Sequence, residues 1–126
     1  MPRRLWLIDD TPSLHAIAEA TAQLAGGWEF SGWLTGSEAL DALAEGEAWP
    51  DVILMDYYIG AERGDRVTQA LRRQEPADHR PVIVGYSSVH AASQAIVEAG
   101  ADLIVAKVVD DSGINPALLA YLKRWR

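Results

Sequence analysis

The sequence predicts an α/β fold, a parallel sheet with helices on both faces, and three observations carry that expectation. Four short, nearly unbroken apolar runs stand out: Leu5-Trp6-Leu7-Ile8, Val52-Ile53-Leu54-Met55, Val82-Ile83-Val84 and Leu103-Ile104-Val105-Ala106. Their length and β-branched content suit strands buried on both faces. Segments with helical spacing separate them, so strand and helix alternate. The chain has 126 residues and 49% hydrophobic content, enough for one core and too little for two.

After the first run, Thr11-Pro12 reads as an N-cap followed by proline at the first helical position, and Leu14, Ile17, Ala18 and Leu24 fall on one helical face. Residues 29–34 form a weaker strand, expected at an edge because it contains Ser31 and Gly32. The second helix opens with the capping box Thr35-Gly36-Ser37-Glu38, carries Ala39, Leu40 and Leu43, and stops at Gly46. A third helix is expected over 66–74, ending ahead of Pro76 because the residue before proline avoids the helical region. A fourth covers 90–99, with Gly100 suited to the left-handed position that closes it. The last starts at Asn115-Pro116 and ends with Lys123, Arg124 and Arg126, where cations complement the helix dipole. Five strand–helix units predict right-handed crossovers and the flavodoxin-like (βα)5 doubly wound sheet, strand order 2-1-3-4-5.

Composition narrows the function. Eighteen acidic against eleven basic side chains give a net charge of −7, which disfavours direct contact with nucleic acid or anionic lipid. Without cysteine there is no disulfide framework or thiolate metal site, which fits a reducing compartment such as the cytoplasm. The apolar stretch after Met1-Pro2-Arg3-Arg4 is too short for a signal-peptide core, so a soluble, unprocessed protein is expected.

Ligands of an open parallel sheet bind at the carboxyl ends of strands beside the switch point, here between strands one and three. Asp9 and Asp10 follow the first strand and Asp56 follows the third. At about 4 Å and an effective dielectric near 20, each pair of carboxylates repels by roughly 4 kcal/mol. Such a cluster calls for a cation or raised pKa values, and Mg²⁺, which combines a few carboxylates with water and phosphate, suits it. Lys107 after the fifth strand supplies an ammonium, and Ser87 after the fourth a hydroxyl. Nucleophile, metal acids, hydroxyl and ammonium are the parts of phosphoryl transfer.

With these residues the chain resembles the response-regulator receiver domains of two-component signalling. The resemblance runs through Leu7-Ile8-Asp9-Asp10, Gly36-Ser37-Glu38-Ala39-Leu40, Pro50-Asp51-Val52-Ile53-Leu54-Met55-Asp56, Gly64, and Ala99-Gly100-Ala101-Asp102 with Lys107. It implies one receiver domain over 1–126 with no output domain. It makes Asp56 the phosphoacceptor, places Mg²⁺ on Asp9, Asp10, Asp56 and the Tyr58 backbone carbonyl, and sets Ser87 and Lys107 against the phosphoryl group. The implied partners are a histidine kinase or phosphotransfer protein and a downstream protein, with the chain a monomer or weak homodimer and not a turnover enzyme.

The sequence also departs from the family. Val108 stands in place of the proline after the lysine, and Ile104 in place of the switch aromatic. The proline expected shortly after the acceptor is missing from Tyr57-Tyr58-Ile59-Gly60-Ala61, and the segment from Ser87 to Lys107 is about two residues short, so Ser88 competes with Ser87 for its role. Val108, Ile104 and the shortened segment motivate an alternative, a receiver-like interaction module that takes no phosphate. A phosphohydrolase lacks a second acid two residues after Asp56, and nucleotide or flavin binding lacks a glycine-rich loop at Asp10-Thr11-Pro12-Ser13. His15 is expected to pair with Glu19 on the surface and His79 and His90 to be incidental; the five tryptophans are expected mainly to pack, with Trp125 the first candidate for one that marks an interface. Asp110-Asp111 is expected in a solvated loop or as a cap.

Overall fold

The computed structural model describes residues 2–125. In chain order the elements are β1 (Arg3–Ile8), α1 (Pro12–Ala25), β2 (Trp28–Trp33), α2 (Gly36–Ala44), β3 (Val52–Met55), β4 (Tyr58–Ile59), β5 (Glu62–Arg63), α3 (Gly64–Gln74), β6 (Val82–Gly85), α4 (His90–Glu98), β7 (Leu103–Ile104) and α5 (Pro116–Lys123). β2-β1-β3-β6-β7 form one parallel sheet. This is the predicted 2-1-3-4-5 order, with β4 and β5 set apart as an antiparallel hairpin.

The apolar runs build two cores because alternate residues of a strand face opposite sides. Leu5, Leu7, Val52, Leu54 and Val84 pack under α1 and α5 with Ala18, Ala22, Leu118 and Leu122. Trp6, Ile8, Ile53, Met55 and Ile83 pack under α2, α3 and α4 with Ala39, Leu43, Leu71 and Ile96. Truncating one of these buried Leu or Ile side chains to Ala costs about 2–5 kcal/mol, so the strands hold the rim above them firmly.

The hairpin is the main addition to the predicted fold. The pairing Ile59↔Glu62 leaves Gly60-Ala61 as a two-residue turn, and Gly60 supplies the positive φ of 60° at its first position. α3 accordingly begins two residues earlier than expected. The fifth strand is shorter than its apolar run, ending at Ile104 with one further bond from the Val105 N–H to the Gly85 carbonyl. Gly100 sits just past α4 at φ 130°, as predicted.

Two readings of single residues are corrected, and Trp125 takes the packing role expected of the tryptophans in general. Leu24 is exposed, and Thr21 and Ala22 complete the buried face of α1 instead. His15 is half-buried, with its Nε2 2.6 Å from the Asp9 carbonyl and its ring edge-on to Phe30, so it belongs to the packing of α1 on the sheet. Trp125 is half-buried, edge-on to Trp28 at 5.5 Å and under the Arg3 guanidinium, so it fastens the end of α5 to the sheet edge. Arg126 lies outside the described residues.

Candidate functional site

Sheet hydrogen bonding continues one residue past the strand ends and fixes the rim. The Asp9 N–H donates to the Trp33 carbonyl, the Asp56 N–H to Ile8 and the Tyr86 N–H to Met55, at 2.9–3.1 Å. Asp9 and Asp56 are therefore held side by side above β1 and β3. Carboxylate oxygens of Asp9, Asp10 and Asp56 lie within 4.8 Å of one another.

Lys107 reaches this cluster from beyond β7, its Nζ 2.7 Å from Asp9 Oδ2 and 3.0 Å from Asp56 Oδ1. Asp9 is fully buried; its Oδ1 accepts from the Thr11 N–H, and Lys107 is the partner of its Oδ2. Thr11 thus caps through its backbone, with no side-chain bond into α1. Asp10 is exposed and its Oδ2 accepts from the Gly60 N–H at 3.0 Å. Burial, then the neighbouring Asp9 charge, raise the Asp56 pKa against the opposing pull of Lys107 and the Tyr57 N–H.

One ammonium facing three carboxylates leaves room for a hard dication with oxygen ligands, so the residues present fit Mg²⁺. The hairpin register supplies another oxygen. The Gly64 N–H donates to the Tyr57 carbonyl at 2.7 Å, and alternation along an antiparallel pair leaves the carbonyl of Tyr58 outside the ladder. Gly64 itself is required by close approach, since a Cβ there would lie 1.8 Å from the Asp56 carbonyl oxygen.

Ser87 is buried and Ser88 exposed. Both line a cavity of about 430 Å³ shared with Lys107, Ile104 and Val108, and the Ser87 hydroxyl accepts from the Val89 N–H. The four charged side chains thus come together, while the serines stand on the adjoining wall. All described peptide bonds are trans, including those around Lys107 and Val108.

Two supports were not visible in the sequence. Asn115 caps α5 as expected, its Oδ1 accepting from Ala117 and Leu118, but its buried Nδ2 also donates to the Ala106 carbonyl and the Tyr86 hydroxyl. It anchors the residue before Lys107. The Tyr86 ring lies 5.7 Å from the Lys107 ammonium, and burial pushes the Tyr86 hydroxyl pKa up to about 12, so it stays neutral. The second is Glu62, whose carboxylate accepts from the Gly36 and Ser37 N–H groups and from the Ser37 hydroxyl. It caps α2 from the hairpin, alongside the bond from the Glu38 N–H to the Thr35 hydroxyl. Asp110 organises its own loop by accepting from Ser112 and Ile114 and leaves the helix cap to Asn115.

A doubly wound parallel sheet with an acid cluster and a lysine at its switch point defines a class of α/β proteins with a charged rim at the strand ends. The model of the response regulator receiver domain matches residues 5–118, and the chain belongs to that family. Among solved structures, a candidate response regulator from Chloroflexus aurantiacus is 23% identical, with 98% of this chain and 97% of that one covered and a TM-score of 0.75. The BeF3-activated DrrB receiver domain of Thermotoga maritima is 20% identical over 98% and 97%, with a TM-score of 0.77. The Mn²⁺-bound form of response regulator Rcp1 is 18% identical over 98% and 91%, with a TM-score of 0.74. These likenesses establish the fold. No curated protein matches the chain. Among the described residues no helix is long and apolar enough to cross a membrane.

Proposed function

We propose that the chain acts as a response-regulator receiver that accepts a phosphoryl group on Asp56. The observation that carries this reading is the contact of Lys107 with Asp56 inside the three-carboxylate cluster. An Asp56 carboxylate oxygen attacks the phosphorus of a phosphohistidine on a histidine kinase or phosphotransfer protein. The P–O bond forms as the P–N bond breaks, and the imidazole leaves with the electron pair and takes a proton from solvent. Mg²⁺ held by Asp9, Asp10, Asp56 and the Tyr58 carbonyl would offset the charge that develops on the phosphoryl oxygens. Lys107 follows the incoming charge and leaves its pairing with Asp9, and Ser87 turns its hydroxyl toward the phosphoryl group. That movement biases the surface of α4, β7 and α5, through which a downstream protein is bound or the phosphoryl group passed on.

Support comes from relatives of the same fold, one described as BeF3-activated and one as Mn²⁺-bound. The test is incubation with acetyl phosphate and Mg²⁺ followed by intact mass. The wild type gains one phosphoryl group; Asp56→Asn and a chelated sample gain none. A wild type that stays unmodified favours the second reading, an interaction module, which draws on Ile104 and the exposed Val108. The exposed ring of Tyr58, two residues past the acceptor, would hinder the hydrolytic water. Tyr58→Asn should shorten the phosphorylated lifetime several-fold, and an unchanged lifetime removes that role.

A further inference from the structure

The hairpin touches the carboxylate cluster at one end and the first turn of α2, further along the same rim, at the other. At the site, the Gly60 N–H donates to Asp10 Oδ2, and the Gly64 N–H bonds Tyr57 beside the acceptor. Two residues from Gly60, Glu62 accepts from the Gly36 and Ser37 N–H groups and the Ser37 hydroxyl, which are the first turn of α2. Glu62 also lines a groove of about 420 Å³ between α2 and α3, with Leu40, Val67, Ala70 and Arg66. There is little slack in this path. Gly64 is pressed on the Asp56 carbonyl, and at Gly36 a Cβ would lie 2.5 Å from the Val67 side chain and 3.2 Å from Glu62 Oε1.

We propose that the hairpin is a lever by which cation binding at the carboxylate cluster loosens the first turn of α2 and reshapes the α2–α3 groove. The inference rests on the metal reading of the site. Neighbouring ligand oxygens on an octahedral Mg²⁺ are about 3 Å apart, since each lies at about 2.1 Å from the ion. Asp10, which would share that ion with Asp9 and Asp56, has its Oδ2 already engaged by the Gly60 N–H, so turning its carboxylate onto the ion acts on the hairpin. Asp10 and the Tyr58 carbonyl are both tied to the hairpin, so drawing them in pulls β4 toward the rim. Glu62, on the return strand, is carried with it and eases off the α2 amides. This route is separate from the α4–β7–α5 surface and runs to the opposite side of Asp56.

The test is site-resolved amide hydrogen exchange with Mg²⁺ alone as the probe. Backbone resonances of Asp9, Asp10 and Asp56 report whether the ion binds. In the wild type, Mg²⁺ should speed exchange of the Gly36 and Ser37 amides about tenfold, the scale set by hydrogen bonds to a charged acceptor. In Glu62→Ala those amides exchange fast at all times and the Mg²⁺ effect disappears, while the response at Asp9 and Asp10 persists. Glu62→Gln keeps the size of the side chain and secures the result should the alanine variant fold poorly; its Mg²⁺ effect should fall at least threefold. Binding at Asp9 and Asp10 with the α2 amides unmoved overturns the lever and leaves the metal site standing. No response at Asp9, Asp10 or Asp56 overturns both.

Discussion

Asp56 is held in tension between burial beside Asp9, which favours its neutral form, and Lys107, which favours the charged one. Its pKa in the folded protein is raised, so the folded state keeps a proton that the unfolded chain has already lost. Stability from this group therefore falls as pH rises from the ordinary carboxylate range through the raised value. Asp56→Asn should be more stable than the wild type at neutral pH, with a flatter profile in urea titrations run across pH 4–8. Asp102 has the opposite sign. Burial alone would raise it, but the Ile83 N–H, Arg80 and Arg72 hold it low, so its contribution is present above the usual carboxylate range and lost as pH falls through the lowered value. Lys107→Met leaves the fully buried Asp9 without its counter-charge and should cost about 3 kcal/mol in the absence of Mg²⁺. Equal stability of that variant would show that the ammonium does not neutralise the cluster.

Among the elements, β1, β3 and β6 were legible because residues buried on both faces leave an uninterrupted apolar run, and the helices because caps, prolines and glycines mark their ends. The carboxylates followed from the strands, since the rim position of Asp9 and Asp56 needs only the strand ends and the switch-point rule. The hairpin was not legible. Tyr58-Ile59 and Glu62-Arg63 are too short for an alternation to register, and the Gly60 turn becomes informative only once its flanks are known to pair. Asn115 was readable as a cap, yet its inward bonds to Ala106 and Tyr86 span different parts of the chain. Asn115→Ala should cost about 2–3 kcal/mol, combining a lost cap with two buried partners left unpaired, as read from thermal unfolding. Gly64→Ala should displace the Asp56–Tyr57 peptide and lower the rate of acetyl-phosphate labelling with Mg²⁺ present, because its Cβ has no room.

For the molecule as a whole, two cores support one charged rim. A sheet buried on both sides barely yields, so change at the site is passed to the loops above it. Mg²⁺ should raise the melting temperature; at a hundred times its dissociation constant the gain is about 2.7 kcal/mol, and it should vanish in Asp9→Asn/Asp10→Asn. A melting curve indifferent to Mg²⁺ would remove the cation from the account. The clasp of Trp125 on Trp28 and Arg3 lies at the start of the strands, whereas Asp56 lies at their finish. A fluorescent protein or affinity handle appended to either extremity would therefore hang from the underside of the sheet, leaving the approach to Asp56 open for a donor, so that labelled versions should load as readily as the bare chain.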